Sequence, residues 1–176
     1  MSEVFGAKAF AIIFLILMSV PALPVPTGGV THVFEVIVMA LALLFIIGRE
    51  DVPDRWRKRT IPPVMQRKAL PFLLKRIRSL ERISRPRWSK LIKHWATRAT
   101  VGLTIFTFTM TAFLAPPFSG LDTLPAMGVV IIALGLLLED FLFIAVGTLI
   151  GSIGIFVVVG LGAIIINFIK SIFWAG

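Results

Sequence analysis

His32 and Glu35 stand three residues apart in an otherwise apolar stretch. On a helix that spacing sets both side chains on one face. An imidazole beside a carboxylate can take up and release a proton near neutral pH. Asp122 is a third ionisable group in a similar setting. Each acid follows a cluster of helix breakers: PVPTG at 24–28, with Pro24, Pro26 and Gly28, and PPFSG at 116–120, with Pro116, Pro117 and Gly120. Proline removes an amide donor and clashes with the preceding turn, while glycine frees the backbone. Ionisable groups beside both breaks point to one shared polar pocket. The plainer reading is two solvated turns.

Glu139 and Asp140 form a second acidic site, between two apolar runs. Carboxylates favour helix N-termini, so a capping role is expected for a helix that begins at Phe141. An ion pair with Arg85 or Arg87 is a further expectation. No phosphate loop, HExxH, serine-nucleophile motif or metal-ligand cluster can be read. The two histidines, His32 and His94, are far apart, and the chain has no cysteine, which removes disulfides and thiolate chemistry. Neither an enzyme nor a metal or other cofactor is expected.

The elements that must hold these residues are apolar blocks. Apolar residues make up 57% of the 176-residue chain and its mean hydropathy is +0.96, above the range of ordinary soluble domains. The blocks are Val4–Val20, Val30–Gly48, Ala99–Ala115, Thr123–Leu138 and Phe141–Ile169. A spanning helix needs about 20 apolar residues. The last block reaches that length with room to tilt, and the other four are marginal. No barrel-like alternation is present. The expected fold is an all-α integral membrane protein. The first block has one lysine, Lys8, and no small-residue cleavage site after it, so it is read as a retained helix and not a signal peptide.

Charge divides the chain. Residues 49–98 carry 16 of the 18 Lys and Arg. They separate a membrane half at 1–48 from another at 99–176, and the positive-inside rule puts them on the cytoplasmic side. Within them, Leu70, Leu73, Leu74, Ile77 and Leu80 recur at helical spacing, with Arg76, Arg78 and Arg82 largely elsewhere. Trp88, Leu91, Ile92 and Trp95 repeat the pattern after Arg85, Pro86 and Arg87. Both stretches read as amphipathic helices in the headgroup layer, suited to anionic lipid. Nucleic acid is not the expected partner.

The two halves share a layout. Each runs apolar block, Pro/Gly break, apolar block, and the second blocks share a texture: LALLF at 41–45 and LGLLL at 134–138. This suggests an internal repeat. Repeated halves with broken helices are one way that transporters build a site within the membrane. The breaks are either surface turns of plain hairpins or tips of re-entrant ones. In the last block, Gly147 and Gly151 form GxxxG, which suits close helix packing within one chain or in a homodimer.

LERISRPRW at 80–88 and PPFSGLDTLPAMGVVIIALGLLLEDFLFIAVG at 116–147 resemble signature elements of the ExoD family; PVPTGG, followed by GRE at 48–50, matches more loosely. The resemblance covers most of residues 20–150. It implies a bacterial inner-membrane protein linked to exopolysaccharide synthesis, with that machinery as a partner, and brings no catalytic residue with it. Two functions follow as expectations. One is a transporter or ion-coupled protein with a pocket at His32, Glu35 and Asp122. The other is a non-catalytic accessory component whose basic helices engage lipid or proteins. An enzyme acting on a lipid-linked substrate ranks behind both.

Overall fold

A computed structural model describes residues 2–23, 30–48, 94–116 and 119–174, with side-chain surroundings for 6–23, 31–48, 94–116 and 119–164. Pro24, Pro26, Gly28, Pro117 and the expected interfacial helices, with Arg76, Arg78, Arg82, Arg85, Arg87 and Trp88, lie outside the described residues. Within them the chain is helical throughout: α1 (Ser2–Met18), α2 (Val30–Ile47), α3 (Trp95–Leu114), α4 (Thr123–Leu138) and α5 (Phe141–Trp174). The helices follow the apolar blocks because each block is an unbroken apolar run bounded by proline, glycine or charge.

Local chemistry explains the ends. α2 stops at Gly48, whose φ of 79° is left-handed. α3 starts at Trp95, four residues before its apolar block, because extended His94 caps it: the His94 Nδ1 accepts from the Ala96 amide at 3.3 Å. Between α3 and α4, Gly120 turns at φ 67°, and the Ser119 hydroxyl donates to the Pro116 carbonyl at 2.6 Å. Pro125 then falls in the first turn of α4, where helix amides have no internal acceptor and proline is tolerated.

Cross-helix contacts fix the directions. Phe10 of α1 meets Phe45 of α2 at 5.5 Å between ring centroids, and Lys8 of α1 reaches Glu139 beyond the end of α4. Gly102 of α3 packs on Phe45 and Ile46, and His32 of α2 packs on Phe113 of α3. Thus α1, α3 and α5 run one way, and α2 and α4 run the other. α4 touches α1, α3 and α5, while α2 packs between α1 and α3. The core joins Phe10, Phe14, Met18, Val38, Leu41 and Phe45 to Ile105, Phe108, Val129 and Ile132. Burying side chains of this size contributes about 1.5–3 kcal/mol each in water.

The α4–α5 seam is built from glycine. A methyl group at Gly128 would lie 2.6 Å from the Gly151 Cα, and one at Gly147 would lie 2.7 Å from the Ile132 amide nitrogen. Phe108 of α3 presses on Gly151 from the other side. The GxxxG pair therefore faces helices of its own chain.

Among the described residues, one stretch is long and apolar enough to cross a membrane: Phe141–Ile164 in α5. The apolar stretches Gly6–Met18, Thr31–Ile47 and Thr123–Leu138 are shorter. Threonine hydroxyls on α3 are satisfied within the helix. Thr100, Thr104, Thr107 and Thr111 each donate to the carbonyl four residues back, at 2.8–2.9 Å.

Candidate functional site

The helix directions bring the ends of α1 and α3 and the starts of α2 and α4 to one end of the bundle, the ends that the two breaks join in sequence. His32 and Glu35 lie in the first turns of α2, on one face as their spacing requires. The His32 Nδ1 and the Glu35 Oε2 are 2.7 Å apart. The Glu35 side chain is 0% exposed and that of His32 is 28% exposed. The pair therefore joins a carboxyl closed off from the surface to an imidazole that reaches it. The ring of Phe113, from the end of α3, lies on the imidazole at 5.2 Å and an interplanar angle of 58°. Phe113 was not readable as part of a site, since an aromatic in an apolar block carries no signal of its own.

One Glu35 oxygen is committed to His32. The other, Oε1, is buried and has no hydrogen-bond partner among the described residues. Buried carboxyl oxygens without a partner are unfavourable by several kcal/mol in apolar surroundings, on the order of those for any orphaned polar group. Among the described residues one other buried side-chain atom is in the same position, the Nε of Arg98 at the opposite end of the bundle. Asp122 comes from the other half of the chain. It occupies the N-cap position of α4 without making a side-chain cap bond, and its charge acts on Glu35. The two acids thus share one end of the bundle, and the Asp122 side chain makes no cap bond there. Among the described residues, no group of three or more His, Cys, Asp or Glu is arranged to hold a metal ion.

The opposite end is built differently. Lys8 and Glu139 form an ion pair at 2.9 Å, with both side chains in reach of solvent. Glu139 has a left-handed φ of 55°, and the Asp140 amide donates back to the Gly135 carbonyl at 2.9 Å, closing α4. The Asp140 Oδ1 then accepts from the Leu142 amide at 3.0 Å and caps α5. Of the two acids, Asp140 takes the cap and Glu139 turns to Lys8. The pairing considered for Arg85 or Arg87 lies outside the described residues. Arg98, in the first turn of α3, lays its guanidinium against Gly48, where α2 exposes its last carbonyls.

The family model described as "Exopolysaccharide synthesis, ExoD" matches residues 1–160. The chain belongs to the ExoD family. That family is described by its role in exopolysaccharide synthesis. The matched span holds both breaks, His32, Glu35, Asp122 and the α4–α5 seam, and it ends inside α5. A relative in Synechocystis sp., an uncharacterized protein named slr1875, is 28% identical over 142 residues, which is 80% of this chain. The chain covers 66% of that relative's length. No solved structure matches the ExoD chain.

Proposed function

We propose that this ExoD-family chain is a multi-pass protein of the bacterial inner membrane that serves exopolysaccharide synthesis as an ion-coupled or transport component. His32, Glu35 and Asp122 form its polar pocket. Among the described residues, the spanning-length stretch of α5 and the shorter apolar stretches of α1, α2 and α4 support the membrane reading. The basic stretch 49–93 joins the end of α2 to the start of α3, and both of those lie at the Lys8–Glu139 end, which the positive-inside rule assigns to the cytoplasm. The pocket then faces the opposite side.

The observation that carries the reading is Glu35: wholly buried, bonded through one oxygen to a partly exposed histidine, and without a partner among the described residues at the other. A proton entering at His32 passes along the 2.7 Å hydrogen bond to Glu35. The paired groups can hold one proton as either neutral partners or an ion pair, with no change in net charge. Asp122 adds negative charge that draws a cation toward the same place.

Purified protein in sealed vesicles with an internal pH dye tests this. After a pH step or an applied potential, wild-type vesicles should equilibrate protons faster than empty ones, and Glu35→Gln should return them to the empty rate. Wild-type vesicles no more permeable than empty ones would sink the proton reading.

A further inference from the structure

Phe113 sits in the last turn of α3. That turn is tied down: the Ala115 amide donates to the carbonyls of Thr111 and Ala112, at 3.2 and 3.1 Å. One turn earlier the hydroxyl of buried Thr109 donates to the Ile105 carbonyl at 2.8 Å. Ile105, Phe108, Thr109 and Ala112 belong to the buried face of α3. Phe113 is half-buried and stands outside the core cluster, whereas Phe106, two turns earlier, packs on that cluster. Among the described residues, the aromatic partner of Phe113 is the His32 imidazole, with ring centroids 5.2 Å apart and planes tilted by 58°. That is a favoured separation for two rings. The ring therefore meets a polar side chain of the other half of the chain, where its neighbours on α3 meet the core.

The two nitrogens of an imidazole are not equivalent, and the tautomer follows from what each one meets. Here Nδ1 lies 2.7 Å from the Glu35 Oε2. With the pair deprotonated, Nδ1–H donates to the Glu35 carboxylate and Nε2 carries a lone pair. An arriving proton binds Nε2; the Nδ1–H bond breaks, and its proton forms an O–H bond on Glu35. The ring ends neutral, with its hydrogen on the other nitrogen. This relay works only while Nδ1 faces Glu35. Turning the imidazole about its Cβ–Cγ bond takes Nδ1 away from the carboxyl, and sweeps the ring edge toward the space that Phe113 fills.

We propose that Phe113 is a positioning residue for the proton pair: it holds the His32 imidazole so that Nδ1 stays on Glu35 and Nε2 takes the incoming proton. The second half of the chain then acts on both members of the pair, Phe113 on His32 and Asp122 on Glu35. The proposal rests on the ion-coupled reading for its effect on flux; the setting of the ring is read without any flux.

Full-length protein with isotope-labelled histidine, in phosphatidylcholine–phosphatidylglycerol vesicles, would be studied by ring-nitrogen NMR at alkaline pH. His32 and His94 are its two histidines, so a His32→Gln spectrum identifies the His32 signals. Wild type and Phe113→Tyr should show the Nδ1–H form of His32. Phe113→Leu, which fills space without a flat ring, should show the Nε2–H form alongside it and should slow proton flux by about tenfold, the effect of a misplaced relay group. Phe113→Met repeats the comparison with a second aliphatic side chain should the leucine variant fail to fold. An Nε2–H ring in wild type would overturn the proposal, and so would a tautomer and flux unchanged in both aliphatic variants. An Nδ1–H form that is lost with Phe113, in vesicles no more permeable to protons than empty ones, ends the ion-coupled reading alone. Glu35-dependent flux with the Nδ1–H form unmoved in both aliphatic variants ends this one alone.

Discussion

The two ends of the bundle use charge in opposite ways. At one end, Lys8 and Glu139 pair within reach of water, Asp140 caps α5, and the Arg98 guanidinium lies against Gly48. Each charge closes a helix end or meets a counter-charge, and exposed pairs of this kind contribute about 0–1 kcal/mol. At the other end, Glu35 is fully buried, one of its oxygens has no partner among the described residues, and the Asp122 side chain makes no cap bond. Holding an acid there is unfavourable for stability, which makes sense if it has work to do. Unused hydrogen-bonding capacity occurs at both ends, since Arg98 Nε is also buried without a partner among the described residues; what sets Glu35 apart is a wholly buried carboxyl joined to a partly exposed imidazole, where Lys8 and Glu139 both reach solvent.

Breaking the functional end should have the largest effect. Glu35→Gln keeps the shape and a hydrogen bond to His32 but removes the ionisable carboxyl; proton flux in vesicles should fall to the background rate while the purified protein stays helical and monodisperse. Next comes the scaffold that brings the halves together. Gly151→Leu drives a side chain into the Phe108 ring, and should lower unfolding stability by about 1–3 kcal/mol in a detergent denaturation series. Asp122→Asn should reduce flux by about fivefold, the effect of roughly 1 kcal/mol of charge interaction. Smallest is the charged end: Lys8→Gln, Glu139→Gln and the double variant should show a coupling of about 0–1 kcal/mol in a double-mutant cycle, with flux unchanged. A loss of flux at Lys8 equal to that at Glu35 would erase the contrast between the ends.

Much of this architecture was legible in the chain. The apolar blocks became helices with ends shifted by a few residues, and His32 and Glu35 meet because three-residue spacing on a helix leaves them little choice. Gly147 and Gly151 announced a close approach, though not its target: whether Gly128 or a second chain fills the notch depends on packing that no local pattern encodes. Long-range pairs were silent for the same reason. Lys8 reaches Glu139 only because α1 and α4 are antiparallel neighbours, and Phe113 covers His32 only because α3 ends where α2 begins. The split between Glu139 and Asp140 turned on backbone: a left-handed Glu139 points its side chain away from the helix that Asp140 then caps.

The central claim is that acids from the two halves act as one site. Proton flux measured for wild type, Glu35→Gln, Asp122→Asn and the double variant in the same vesicles tests it most directly. The account predicts that the double variant is no slower than Glu35→Gln alone, because the second substitution acts on a site already disabled. Flux above background in Glu35→Gln that falls again on adding Asp122→Asn, by the factor it shows alone, would mean two independent routes and would contradict it.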